Sequence, residues 1–171
     1  MKKLNGYSLV ELLVVISVIS ILGIAGYANF KKFSADQVTK KAITEVQSVL
    51  RLAQGNATSS TLCSGLEGKK WSVIFNSGNL DLSCGGNPPG RTYTLQKATI
   101  DSIIGSDCGV IPLNLPATFN YTFGVGTLIV SSTGATSACL LSGSWTFTLK
   151  NIQDGSTRSF KLSKGGAIDV Q

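Results

Sequence analysis

From Tyr7 to Phe30 the chain is a run of apolar and small residues broken by one charge, Glu11, and closed by Lys31 and Lys32. A helix of that length spans roughly 36 Å, enough for a hydrocarbon layer of about 30 Å. Beyond Lys32 the pattern changes. Val38, Ala42, Val46, Val49, Leu50 and Ala53 recur at intervals of three or four, while Lys40, Lys41, Glu45, Gln47 and Arg51 fall mainly off that stripe. Such spacing predicts an amphipathic continuation of the same helix. Gly55 stands where a stop is expected. From Tyr7 to Gln54 the helix would measure about 70 Å.

From Trp71 onward the period becomes two. Phe119, Tyr121 and Phe123 alternate with Thr118, Asn120 and Thr122; Trp145, Phe147 and Leu149 with Thr146, Thr148 and Lys150; Phe160 and Leu162 with Ser159, Lys161 and Ser163. These are half-buried antiparallel strands. Asp154-Gly155 signals a turn between the last two, and Lys164-Gly165-Gly166 another before a strand over 167–170. Weaker strands are expected over 71–75, 80–83, 91–97 and 127–131. Asn87 to Gly90 and the stretch from Gly105 to Pro116 read as loops, and Gly124-Val-Gly126 as a bulge or turn. With 171 residues, the chain leaves about 115 beyond the helix, enough for one core and one domain. No repeat is apparent.

Glu11 is the position that needs a reason. An ionised carboxylate within a bilayer costs on the order of 2.5–3.5 kcal/mol on insertion scales, so it calls for a partner or a proton. Were the chain cut after Gly6, the new amine of Tyr7 would lie one helical turn before Glu11, on the same face. That amine, or its copy on a neighbouring subunit, would be the counter-charge.

Gly6, an aromatic Tyr7 and then Ser-Leu-Val-Glu-Leu-Leu-Val with a long apolar tail resemble the class III signal of type IV pilins and pseudopilins. The resemblance implies cleavage after Gly6 by a prepilin peptidase, N-methylation at Tyr7, and Glu11 as the acid that guides assembly with other pilin or pseudopilin subunits. It implies an α+β, pilin-like fold, a long amino-terminal α-helix packed on a carboxy-terminal antiparallel β-sheet head. The expected divisions are a leader at 1–6, a transmembrane and assembly helix at 7–30, an amphipathic helix at 31–55 and a β-rich head at 56–171. Before assembly the inner-membrane lipid would hold the helix in a single pass, with the head in the periplasm or outside. Afterwards the chain would reside in a periplasmic or cell-surface filament.

There are departures from the family pattern. Many major pilins carry a glycine where this chain has Ser20 and a proline where it has Ala28. Here Gly23 and Gly26 are the helix-weakening residues, each costing about 1 kcal/mol relative to alanine. The competing reading is a plain membrane anchor or secretory signal, for which Gly26-Tyr27-Ala28 has the small-x-small form. Against it, the apolar run exceeds the usual signal core and contains an acid.

The four cysteines, Cys63, Cys84, Cys108 and Cys139, all follow the helix. An even count in a translocated head favours disulfides, with three pairings open. Cys63 with Cys84 and Cys108 with Cys139 would close two moderate loops. A zinc site is disfavoured, because there is no Cys-x-x-Cys and the chain has no histidine. Lack of histidine also removes the commonest general base, so no enzyme, cofactor or small-molecule substrate is expected.

The net charge of +6 includes Lys2 and Lys3; without them 13 cations face 9 acids, a balance of +4. Arg158, Lys161 and Lys164 are candidate contacts for DNA or another ligand, by analogy with DNA-uptake minor pilins. The expected function is therefore a structural subunit of a type IV pilus or type II secretion-like filament. A filament-displayed binding module is the alternative.

Overall fold

A computed structural model of the chain describes residues 8–59, 70–85, 90–107, 112–122, 124, 126–132 and 143–170. Helix α1 runs without a break from Leu9 to Thr58, a length of about 75 Å by its rise per residue. Nine strands follow: β1 (Trp71–Phe75), β2 (Asn79–Cys84), β3 (Arg91–Thr94), β4 (Ala98–Gly105), β5 (Ala117–Tyr121), β6 (Leu128–Ser132), β7 (Ser144–Asn151), β8 (Thr157–Ser163) and β9 (Ile168–Val170).

The helix stripe does what its spacing implies. Ala42, Val46, Val49, Leu50 and Ala53 are buried, joined by Ile43 and Ala57. Gly55, expected as the stop, lies inside the helix, which runs one further turn. Burial of Ala57 and capping of its carbonyl by the Gly124 N–H at 3.0 Å offset the cost of a helical glycine, about 1 kcal/mol. The Ser59 N–H then closes the end on the Gly55 carbonyl.

The strands form two antiparallel sheets, ordered β3-β2-β1-β5-β6 and β4-β7-β8-β9, where one sheet was expected. The chain visits the first sheet, crosses to the second for β4, returns for β5 and β6, and ends in the second. Alternation marks one buried face per strand but not which sheet that face belongs to. The two inner faces meet through aromatics. Phe75 and Phe119 of the first sheet lie 5.0 and 5.3 Å, ring to ring, from Phe147 of the second, and Phe147 stacks on Phe160 at 4.8 Å. Helix α1 leans chiefly on β1 and β7, one strand from each sheet.

Strand β4 is absent from the pattern-based expectation. Its pairing with β7 shifts register between Ile100 and Ser102, so a bulge at Asp101 throws Ile103 back onto the core face and breaks the period of two. Strand β3 ends at Thr94, short of the expected Lys97, because Lys97 adopts a left-handed φ of 60° in the turn to β4. The turns at 154–155, 164–166 and 124–126 stand where the glycines placed them, with Gly124, Gly126, Gly155 and Gly166 all at positive φ. Of the loop expected over 87–90, only Gly90 lies among the described residues.

Candidate functional site

Gly6 and Tyr7 lie outside the described residues. Ser8 is the N-cap of α1: its extended backbone and its Oγ, which accepts the Glu11 N–H at 3.2 Å, start the helix. Glu11 is thus the third residue of the first turn, exposed, where the positive end of the helix dipole favours a carboxylate. Ser8-Leu-Val-Glu11 has the S-x-x-E spacing of a capping box, a signal that the resemblance to an assembly motif obscured. Glu11 therefore has a local structural role whatever else it does.

Above it the helix presents bare apolar surface. Leu12, Leu13, Ile16, Ile19, Leu22 and Phe30 are all exposed. Ser17 and Ser20 do not interrupt that surface chemically, because their hydroxyls donate back to the Leu13 and Ile16 carbonyls, each at 2.8 Å. Among the described residues no helix is long and apolar enough to cross a membrane. The described apolar stretch from Leu9 to Ile24 amounts to about 24 Å of helix.

The helix enters the head at Ala35 and Asp36. Asp36 pairs with Lys40 one turn on, at 2.8 Å, and with Arg158 of β8, at 2.5 Å. The Lys40 hydrogen bond is the largest influence on the Asp36 carboxyl and, together with the Arg158 pairing, holds it below its ordinary range against the opposing effect of desolvation. Buried Asn151, at the end of β7, donates from Nδ2 to the Ala35 carbonyl at 3.2 Å, and its Oδ1 accepts the Gln153 N–H. Two open grooves flank this neck. One, of about 460 Å³, runs between Phe33, Asp36 and residues Ser156 to Arg158 at the start of β8. The other, of about 790 Å³, runs between Tyr27, Phe30, Lys31 and the turn residues Gln153 and Asp154.

Residues 1–27 match the family model described as the prokaryotic N-terminal methylation motif. The chain is type IV pilin-like. No curated protein and no solved structure is a significant match to it.

In this pilin-like chain the basic residues singled out near the carboxyl end do not converge. Arg158 shares the core-side face of β8 with Phe160 and Leu162 and is engaged by Asp36, whereas Lys161 points to the opposite, solvent face. Lys164 lies in the turn before β9, its carbonyl accepting from Leu128. Cys84, the last residue of β2, is disulfide-bonded, and its partner is one of Cys63, Cys108 and Cys139, which lie outside the described residues. Asp154 serves its own turn: the Ser156 hydroxyl, and then the Ser156 N–H, lower its carboxyl below the ordinary range.

Proposed function

We propose that this pilin-like chain is a structural filament subunit, a minor pilin or a pseudopilin of a type IV pilus or type II secretion-like system. It is cut after Gly6 by a prepilin peptidase, N-methylated at Tyr7, held in the inner membrane by its apolar helix, and then drawn into a filament beside other pilin-like subunits.

The observation that carries this reading is the division of one continuous helix. From Ala42 to Ala57 its apolar face is buried in the head, while from Leu9 to Phe33 its large apolar side chains stand exposed. Burying such surface is favourable by roughly 25 cal/mol per Å², so an isolated chain in water is a poor end state for it. Lipid before assembly, and neighbouring helices after it, supply the cover. Glu11 sits at the tip of the exposed half, where the freed Tyr7 amine of the same or an adjacent subunit can meet it. This reading gives the chain no catalytic step and no cofactor.

Intact mass of the protein extracted from membranes tests it. The expected species lacks residues 1–6 and carries one added methyl group. A species starting at Met1, or one cut after Ala28, would overturn the proposal.

A further inference from the structure

The β7–β8 turn carries an exposed aliphatic side chain that the core and the neck contacts leave unexplained. Ile152 is 64% exposed although its N–H is fixed to the Lys97 carbonyl at 3.0 Å. The next two residues of the turn, Gln153 and Asp154, face Tyr27, Phe30 and Lys31 across the wider groove. The turn therefore stands level with the last residues of the apolar helix run, where two exposed aromatics give way to a cation. Lys150 extends toward the tip of the turn, its Cε 3.9 Å from where a Cβ of Gly155 would sit. Lys97 is held beside Ile152 by the backbone bond already noted. Among the described residues Lys31 lines the same groove as Asp154, while Lys40 and Arg158 are taken up by Asp36, which leaves Lys97 and Lys150 beside the turn with no acidic partner.

An exposed isoleucine within a basic rim, continuous with an apolar helix that passes through an aromatic zone, fits one surface chemistry. Interfacial layers take up isolated apolar side chains and aromatics, and their anionic phosphates attract lysines within about a Debye length, ~10 Å at 0.1 M salt.

We propose that the β7–β8 turn is a membrane foot: with the helix in the bilayer, Ile152 enters the interfacial layer and Lys97 and Lys150 meet the phosphates of anionic phospholipids. The inference rests on the membrane-inserted state proposed above. The foot fixes the tilt of the head before assembly and is withdrawn when the helix leaves the bilayer.

The test uses the full chain in vesicles with brominated acyl chains, either phosphatidylethanolamine with phosphatidylglycerol or phosphatidylcholine alone. Tryptophan is introduced singly as Ile152→Trp, Leu22→Trp or Ile129→Trp, and the emission of the native Trp71 and Trp145 is subtracted. Ile129 is 45% exposed on β6, away from the neck. With phosphatidylglycerol present, brominated lipid is expected to quench Ile152→Trp roughly twofold, as at a depth of about 5–10 Å, and to spare Ile129→Trp. Adding Lys97→Glu and Lys150→Glu to Ile152→Trp should abolish the effect. Quenching of Leu22→Trp without quenching of Ile152→Trp overturns the foot and leaves the anchor standing. Absence of both overturns the anchor and the foot with it. Equal quenching of Ile152→Trp in phosphatidylcholine, unchanged by the two glutamates, overturns the assignment of Lys97 and Lys150 to phosphate. A tryptophan at 152 that ignores lipid but shifts to the blue as protein is concentrated overturns the lipid assignment and gives the turn to a second copy of the chain.

Discussion

Asp36 on the helix and Arg158 on β8 form an ion pair at 2.5 Å across the neck, while Lys40 closes on the other carboxylate oxygen at 2.8 Å. This triad, with the bond from Asn151 to the Ala35 carbonyl, ties the lower end of the second sheet to the helix. The upper end is tied at Gln54, which donates to the Gly165 carbonyl at 3.1 Å. From Asp36 to Gln54 the helix rises about 27 Å, and from Arg158 to Gly165 a strand advances about 23 Å. Strand β8 therefore runs alongside the helix between two fixed points.

The lower tie is pH-dependent, and its sign follows from the lowered Asp36 carboxyl. A group with a depressed folded value stabilises above its unfolded value and loses that contribution as pH falls through the folded one. Asp36→Asn should therefore lower the melting temperature slightly at neutral pH, with the difference from wild type shrinking to nothing as pH falls below 3.8. Thermal unfolding followed by circular dichroism between pH 2 and pH 7 measures it. A deficit that persisted unchanged in acid would show that Asp36 acts by packing rather than by charge. Because the pair is exposed to solvent, added salt should also reduce the difference.

Much of this architecture could be read from periodicity, and the failures have identifiable causes. The helix stripe from Ala42 to Ala53 and the buried faces of β5, β7 and β8 follow from spacings of 3.6 and 2 alone. Strand β4 escaped because a bulge at Asp101 changes which residues face inward, and spacing cannot see a bulge. The helix end escaped because Gly55 carries a local stop signal that a distant contact, Ala57 with the Gly124 N–H, overrides. Arg158 and Lys161 looked like one patch because three positions on a strand are near in sequence, whereas an odd separation puts them on opposite faces. The division into two sheets depends on pairings between segments far apart in sequence, which no local pattern encodes.

Glu11 joins a local and an assembly role, and the two can be separated. Loss of a carboxylate from the first turn costs a helix about 0.3–1 kcal/mol, and the cap made by the Ser8 hydroxyl remains in a Glu11 variant. Ser8→Ala removes that cap instead, at about 1 kcal/mol, and keeps the acid. If charge pairing with the Tyr7 amine drives assembly, Glu11→Gln should be cut and methylated normally yet enter filaments poorly, while Ser8→Ala should assemble nearly as wild type. Fractionation of sheared filaments against membranes, with intact mass on each pool, provides the readout. Equal loss of assembly in both variants would point to helix initiation as the common cause.

Gly166 occupies the contact that ties the turn before β9 to the helix. Its φ is 85°, and a Cβ placed there would overlap the Gln54 side-chain amide. Gln54 could swing away, but only by giving up its bond to the Gly165 carbonyl. Gly166→Ala should therefore destabilise the head by about 1–2 kcal/mol, the usual cost of a left-handed backbone for a non-glycine residue. Gly78 provides the control, since it has open space around its Cβ position and no such φ. Gly78→Ala should change chemical denaturation by far less, and equal losses would remove the argument from backbone conformation.

Sheet register also bears on the disulfides, whose pairing four cysteines leave open. Gly105 of β4 lies opposite Trp145 of β7, the Ser106 N–H donates to the Ser144 carbonyl, and the Gly143 N–H approaches an Asp107 carboxylate oxygen at 3.4 Å. Asp107, the residue before Cys108, and Gly143, four residues after Cys139, thus meet at one end of the second sheet. At the first sheet, Cys84 lies opposite Trp71, and the Gly85 N–H bonds to the carbonyl of Lys70, a residue seven positions after Cys63 in the sequence. These neighbourhoods favour Cys63 with Cys84 and Cys108 with Cys139. Peptide mapping of the unreduced protein after alkylation should recover those two cross-linked pairs, and either of the other pairings would refute the assignment. Cys84→Ser paired with Cys63→Ser should then lower stability by about 2–4 kcal/mol, the usual range for opening a loop of this kind. Cys84→Ser alone should leave a free thiol at Cys63 and none at Cys108 or Cys139, which thiol labelling under denaturing, non-reducing conditions would reveal directly.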